Sequence, residues 1–351
     1  MLLYLAKAPY NMSHLLSSLL YHPFEKGQLT KPSSEQRSLF LGAGFSSEIS
    51  TINNATFVQG FKPFANDLLT HNIQCFPALS ADDNLYDYVF CVIPKQKEEA
   101  LYRIAQGVKS LKQGGWLVSA AANDAGAKRL EKWFQDLGLK PQSLSKSKCR
   151  IVWASNDGVK NDVVEKYIKD GDRQQITLKE KIFTTKPGIF SWNKIDLGSK
   201  LLIENISEKL RGIGADFGCG YGYLSGEILE KHDVKKLYAV DADYEALECA
   251  RENLKKFDNV EYSWADLTVT QKELLPLDWI IMNPPFHQGK DTKIDAGQAF
   301  IKTASGSLKK GGVLYMVANA HLPYENLLES LFSDVQKLVE GQGFKVFRGI
   351  R

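Results

Sequence analysis

The second half of the chain alternates short apolar runs with stretches of helical periodicity. Ile213-Gly214-Ala215-Asp216-Phe217 predicts a strand ending in a glycine-rich turn, and Leu224 to Lys231 a helix after it. Leu237-Tyr238-Ala239-Val240 predicts a second strand that stops at Asp241, followed by a helix over Tyr244 to Lys256. Val260 to Trp264, Trp279 to Met282 and Gly312 to Ala318 predict three more strands, with a helix over Asp295 to Leu308. Phe344 to Arg348 alternates and reads as an edge strand. Strands apolar on both faces, alternating with helices, imply an α/β fold with a parallel sheet covered on both sides.

The front half repeats part of this plan. Tyr86-Asp87-Tyr88-Val89-Phe90-Cys91-Val92-Ile93-Pro94-Lys95 lays over Leu277-Asp278-Trp279-Ile280-Ile281-Met282-Asn283-Pro284-Pro285-Phe286 without a gap. Each is followed by a helical stretch and then by Gly114-Gly115 or Gly311-Gly312 opening an apolar run. From the aspartate to the first glycine the spacing is 27 residues in front and 33 behind. We read an internal duplication whose front copy has Val92 in place of Asn283 and Lys95 in place of Phe286. Between the copies the chain turns polar at Ser155-Asn156-Asp157-Gly158 and again over Asp170 to Gln175, with one short helix over Val159 to Lys169. This sets the expected organisation: a domain over 1–155, a linker over 156–180 and a second domain over 181–351.

Composition changes this picture little. An apolar content of 44% with 24% charged residues fits a globular chain and excludes disorder and collagen-like repetition. No apolar run reaches membrane-spanning length, and the apolar start Met1 to Ala6 breaks at Lys7, too short for a signal-peptide core. It reads as a first strand or helix. Cys75, Cys91, Cys149, Cys219 and Cys249 form no CxxC pair, which points to a reducing cytoplasm and away from disulfides or structural zinc. The six histidines form no HxxH or HExxH, so no metal centre is expected. The net charge of +3 is unevenly spread: residues 1–150 balance at +5 and the remainder at −2. A basic front half suits an anionic partner.

The chemistry concentrates at the predicted strand ends. Asp216-Phe217-Gly218-Cys219-Gly220-Tyr221-Gly222 lets backbone approach a ligand closely, but Tyr223 stands where a dinucleotide fingerprint needs its third glycine. An aspartate before the glycines suits an ammonium group. Asp241, about twenty positions on, is placed for ribose hydroxyls, and Asp266 for the exocyclic amine of an adenine. A nucleoside with a cationic amino-acid tail, S-adenosylmethionine, meets all three. Asn283-Pro284-Pro285-Phe286 then closes the fourth strand. An arylamine is a poor nucleophile because its lone pair is delocalised. If the Asn283 side-chain oxygen and the Pro284 carbonyl each accept one N–H, that lone pair can turn toward a methyl donor, with Phe286 stacking on the base. His287 would touch the base or sugar, or support the turn by a hydrogen bond. Asp196 and Ser199 would line the pocket or cap a helix. Cys219 reads as a small filler, and Tyr88 and Trp116 as core.

Asn283-Pro284-Pro285-Phe286-His287, with Asp295-Ala296-Gly297-Gln298 and Val317-Ala318-Asn319-Ala320-His321-Leu322-Pro323-Tyr324, resembles the bacterial small-subunit (16S) rRNA guanine-N2-methyltransferases of the RsmC type. Pro187 to Ser191 and Asp196 to Ser199 are similar to that family's lead-in to its catalytic domain. The close resemblance covers residues 185–351. It implies two tandem Rossmann-like methyltransferase domains, each a mostly parallel sheet with helices on both faces. The rear one is catalytic and uses S-adenosylmethionine; the N-terminal one is degenerate and helps hold RNA. Transfer to the N2 amine of a guanine in 16S rRNA, by a cytoplasmic monomer acting on that RNA or on the small ribosomal subunit, is the expected reaction. A large-subunit rRNA family shares the Asn-Pro-Pro-Phe-His turn. Guanine N2 in 23S rRNA, adenine N6 and a protein glutamine therefore stay open as targets. So does a non-enzymatic RNA-binding or assembly role.

Overall fold

The computed structural model describes residues 7–80, 85–178, 180–269, 271, 276–285 and 292–351. Pro9–Asp172 and Arg173–Arg351 form two compact units. The front unit holds β1 (Ser38–Leu41), β2 (Ala55–Val58), β3 (Tyr86–Val92), β4 (Leu111–Ala122), β5 (Gln142–Lys146) and β6 (Cys149–Ser155) in the order β2-β1-β3-β4-β6-β5. The first four are parallel; β6 and β5 are antiparallel. The rear unit opens on a hairpin of β7 (Gln174–Leu178) and β8 (Lys181–Thr185). Its sheet holds β9 (Arg211–Phe217), β10 (Asp233–Asp241), β11 (Val260–Trp264), β12 (Leu277–Met282), β13 (Leu308–Asn319), β14 (Asp334–Gly341) and β15 (Phe344–Ile350) in the order β11-β10-β9-β12-β13-β15-β14. Both are mostly parallel α/β sheets flanked by helices.

Residues 156–178 of the expected connector are structured. The helix Asn161–Gly171 packs on the helix Lys97–Lys109, and Gly171 is needed because a Cβ there would strike Tyr102. The unit boundary falls inside the expected connector, between Asp172 and Arg173. The expectation for Met1 to Ala6 lies outside the described residues. One strand assignment changes: β15, expected at an edge, lies between β13 and β14. Gln342 and Gly343 both have positive φ, which makes a tight hairpin turn and folds β14 onto the outside of β15. Val346 and Phe347 are buried accordingly.

The duplication is visible in the registers. Tyr86 pairs with Leu111 and Tyr88 with Trp116; Leu277 pairs with Leu308 and Trp279 with Val313, each with the same shift between. Asp87 accepts the Arg37 N–H and pairs with Lys112, while Asp278 accepts the Ile213 N–H and pairs with Lys309. The front sheet has no counterpart of β11 among the described residues. Apolar side chains on one face of the rear sheet pack on Phe300, Ile301 and Ala304 of the helix Thr292–Ser307. The other face packs on the helices Leu197–Glu204, Tyr223–Lys231 and Tyr244–Asn253. With both faces covered, the rear sheet leaves the loops at its strand ends as the place for a ligand.

Candidate active site

β9 ends at Phe217, beside Val240 of β10 and Met282 of β12, so the glycine turn and Asn283 begin next to each other. The Gly218 and Cys219 N–H groups both donate to the Val240 carbonyl, at 2.8 and 3.0 Å, which turns the backbone away from the sheet. Gly218 and Gly220 have φ of +79° and +56°. A Cβ at Gly220 would meet nothing within 4 Å; at Gly218 it would have only the Phe300 ring at 3.7 Å and the Asn283 carbonyl at 4.0 Å nearby. The turn thus leaves open space beside bare backbone. Gly222 serves differently: a Cβ there would press on Ala250 and Leu254, so it lets two helices approach.

The three aspartates stand at consecutive strand ends. Asp216 is fully buried; its Oδ2 accepts from the Ser225 hydroxyl at 2.7 Å, and its Oδ1 is buried without a partner among the described residues. Burial, reinforced by the Asp241 charge and partly offset by Ser225, pushes its pKa up to about 7. Asp241 accepts the Gly220 N–H on Oδ2 and the Asp243 N–H on Oδ1, at 2.8 and 2.9 Å. Oδ2 therefore holds the glycine turn, and with a further backbone hydrogen bond from Ala242 the carboxylate still has acceptor capacity left. Desolvation raises its pKa against those bonds. Asp266 is buried, and its Oδ1 takes the Thr268 N–H and hydroxyl at 2.9 and 2.6 Å. Burial, with the Asp241 and Asp216 charges, pushes the Cys219 thiol well up, so it is no thiolate nucleophile.

Asn283 is the most constrained side chain of the set. Its Nδ2 donates to Asp196 Oδ2 and to Ser199 Oγ, both at 2.8 Å. A carboxylate only accepts, so this contact settles which end of the carboxamide is nitrogen. Asn283 Oδ1 is then left buried with no partner among the described residues. Asp196 is the N-cap of the helix Leu197–Glu204, and the same Oδ2 accepts the Ser199 N–H at 2.8 Å. One oxygen of Asp196 thus caps the helix, as one of the two sequence readings has it, and holds Asn283. Pro284 is buried and Pro285 exposed. Phe286 and His287 lie outside the described residues. His321 is exposed.

Two participants escaped the sequence reading. Phe300 faces Gly218 from the helix Thr292–Ser307, and Ser225 donates a hydrogen bond to one oxygen of Asp216. Phe300 carried no signal beyond helical periodicity. Ser225 did carry one, a hydroxyl one turn into a helix behind a buried acid.

Three observations suit a cationic nucleoside: open space at Gly220 with only ordinary contact at Gly218, a buried oxygen on Asp216 with no partner among the described residues, and spare acceptor capacity on Asp241. Among the described residues, no group of three or more His, Cys, Asp or Glu could hold a metal ion, and no helix is long and apolar enough to cross a membrane.

Comparison with known proteins agrees. Residues 180–348 match the methyltransferase small domain family. The chain is similar to ribosomal RNA small subunit methyltransferase C of Psychromonas ingrahamii, 30% identical over 263 residues, covering 74% of this chain and 75% of that protein. The protein of the same name from Acinetobacter baylyi is 29% identical over 279 residues, covering 78% and 82%. A solved structure, the T. thermophilus 16S rRNA N2 G1207 methyltransferase in complex with AdoMet and guanosine, superposes with a TM-score of 0.78 at 22% identity, covering 96% of this chain and 92% of that one.

Proposed function

We propose, on the premise that this chain belongs to the ribosomal RNA small subunit methyltransferase C family, that it transfers a methyl group from S-adenosylmethionine to the N2 amine of a guanine in 16S rRNA. The observation that carries the residue-level reading is the Asn283 carboxamide: nitrogen held twice, oxygen buried with no partner among the described residues. An acceptor left so costs about 1–3 kcal/mol, and a substrate N–H relieves it.

Backbone at Gly218 and Gly220 would lie along the cofactor, Asp241 would take ribose hydroxyls, Asp266 the adenine amine and Asp216 the ammonium end. Once bound, S-adenosylmethionine supplies a methyl group already activated on a sulfonium. The chain's own task is to position the amine. Asn283 Oδ1 and the Pro284 carbonyl each accept one N–H, which weakens conjugation with the ring and directs the nitrogen lone pair. Pro284 helps because its ring fixes the backbone that presents its carbonyl. Phe286 would stack on the guanine, with His287 beside it. The target must be unpaired or flipped, since N2 is otherwise engaged in pairing. Asp196 and Ser199 act through Asn283 and need not touch substrate.

We extend the reading to the finer points. The front unit is a degenerate copy that holds RNA, and the protein works as a monomer. Five free cysteines suit the cytoplasm, where ribosomes are made. Incubating the full chain with methyl-labelled S-adenosylmethionine and unmodified small-subunit rRNA should yield N2-methylguanosine on digestion. Label in adenine, in large-subunit RNA or in a protein glutamine would overturn the proposal.

A further inference from the structure

The front sheet ends in the same places as the rear one, with different residues. Leu41 pairs with Val58 and Cys91, as Phe217 pairs with Val240 and Met282. The next residue is a glycine in both, Gly42 at φ +74° and Gly218 at φ +79°. Each donates its N–H to the neighbouring strand, to Val58 at 2.9 Å or to Val240 at 2.8 Å. A Cβ at Gly218 would have only ordinary contact with the Phe300 ring, at 3.7 Å; at Gly42 it would fall onto the guanidinium of Arg103. Arg103 stands eight residues before Leu111, as Phe300 stands eight before Leu308. It donates to the Val92 carbonyl at 2.7 Å and to Glu99 at 3.1 Å. Val92 holds the Asn283 position. An arginine therefore fills the front copy of the cofactor cleft.

The mouth of that cleft has changed in the same direction. Lys95 occupies the Phe286 position, and with Lys97, Lys128, Arg129, Asn123 and Trp133 it lines a cavity of about 290 Å³. Asp124 lies 3.6 Å from Lys95, and both side chains are over 70% exposed. The helix Ala127–Asp136 begins here on Gly126, with no side-chain cap and no acid in its first turn. Lys128 and Arg129 in that turn oppose the helix dipole, an arrangement that an anion would relieve.

We infer that this end of the front sheet binds phosphodiester groups of the RNA substrate: a site framed for a sulfonium nucleoside and a stacked base has become a phosphate site. The inference rests on the rRNA reading above. Its test uses the full chain and an unmodified small-subunit rRNA fragment, with binding followed by fluorescence anisotropy over a salt series. Lys95→Ala/Lys128→Ala/Arg129→Ala should lower the slope of log affinity against log salt by about 2–3, since each lost phosphate contact is worth about 0.7–0.9. Lys95→Arg/Lys128→Arg should keep the wild-type slope. Lys140→Ala/Lys166→Ala/Lys169→Ala removes as much exposed charge elsewhere on the unit and should change the slope by less than about 1. An unchanged slope in the first triple variant, or an equal fall in the matched one, overturns the inference. Calorimetry of S-adenosylmethionine binding and label transfer, run on the same preparations, keep the two claims apart. Their loss in the wild type would sink the functional reading. Their retention with an unchanged slope would sink only the phosphate site.

Discussion

Asp196 offers the sharpest test of how the site is held. Its Oδ2 has two duties, capping the helix Leu197–Glu204 and fixing Asn283. Replacing Asp196 by alanine removes a cap worth about 1 kcal/mol and a charge-assisted hydrogen bond worth roughly 1.5–3 kcal/mol. Stability should fall by about 2–4 kcal/mol. The second contribution also sets the rate, because Asn283 can then turn its NH2 toward the substrate. Losing roughly 1.5–3 kcal/mol of orientation corresponds to a methyl-transfer rate about 10- to 150-fold lower. Asp196→Asn keeps an oxygen in the Oδ2 position and caps about as well, so it should recover both stability and most of the rate. Ser199→Ala separates the duties: the cap bond to its backbone survives while Asn283 loses one acceptor. Its rate should drop with little loss of stability. Single-turnover methylation under saturating S-adenosylmethionine, with thermal unfolding alongside, measures both. A wild-type rate in Asp196→Ala or Ser199→Ala would refute the clamp. Equal damage in Asp196→Asn and Asp196→Ala would show that the negative charge itself is needed.

Three further expectations follow from the same contacts. Asn283→Ala should slow transfer about 10²–10³-fold, the usual cost of one preorganised hydrogen bond in a transition state. Calorimetry should find its S-adenosylmethionine affinity within a few-fold of wild type, and an equal loss of both would make the residue structural. Asp216 titrates near 7 in the fold against 3.8 ordinarily, so the native state holds its proton more tightly and stability should decline as pH rises between those values. Since the ionised form suits an ammonium group, S-adenosylmethionine should bind more tightly from about pH 5.5 to about pH 7.5. The trend should vanish in Asp216→Asn, and a flat wild-type profile would exclude Asp216 as the ammonium acceptor. Asn253 bonds the Thr184 carbonyl and N–H, each at 2.7 Å, and the Tyr221 carbonyl at 2.8 Å, tying β8 to the glycine turn. Asn253→Ala should cost about 2–4 kcal/mol and speed hydrogen exchange in 181–185, whereas an unaltered unfolding midpoint would contradict that role.

Much of the fold was legible because it rests on local patterns. β9 and β12 at the centre of the rear sheet are buried on both faces toward their ends, so their apolar runs stood out, and the glycine turn and Asn283 fell at those ends. Boundaries were cut short where a strand leaves the core: β13 begins at Leu308, four residues before the expected start, because Lys309, Lys310 and Gly311 are exposed. β15 was misplaced as an edge strand for a related reason. Its alternation shows that one face is less buried than the other, whereas its lateral neighbours depend on the turn at Gln342-Gly343, which periodicity does not register. The connector over 156–180 was read from polarity, yet its helix turns Val164 and Tyr167 onto the core.

The site was legible only in part, and the division follows chain distance. Groups that act by their place at a strand end, such as Gly218, Asp241 and Asn283, can be read one strand at a time. Groups that act through another side chain cannot. Asp196 and Asn283 are 87 residues apart and meet because β12 lies between β9 and β13, with the helix Leu197–Glu204 packed across β13. The N-cap pattern at Asp196 was visible, but its second partner was not. The duplication sharpens the point. In the front copy the Asn283 position is Val92, so a clamp there would have no carboxamide to hold, and Arg103 instead spans the gap to the Val92 carbonyl. The frame shared by the two copies, Asp87 with Lys112 and Asp278 with Lys309, depends on strand register and survived. The polar constellation needs several distant residues at once, and it persists only in the copy where Asn283 still has an amide to orient.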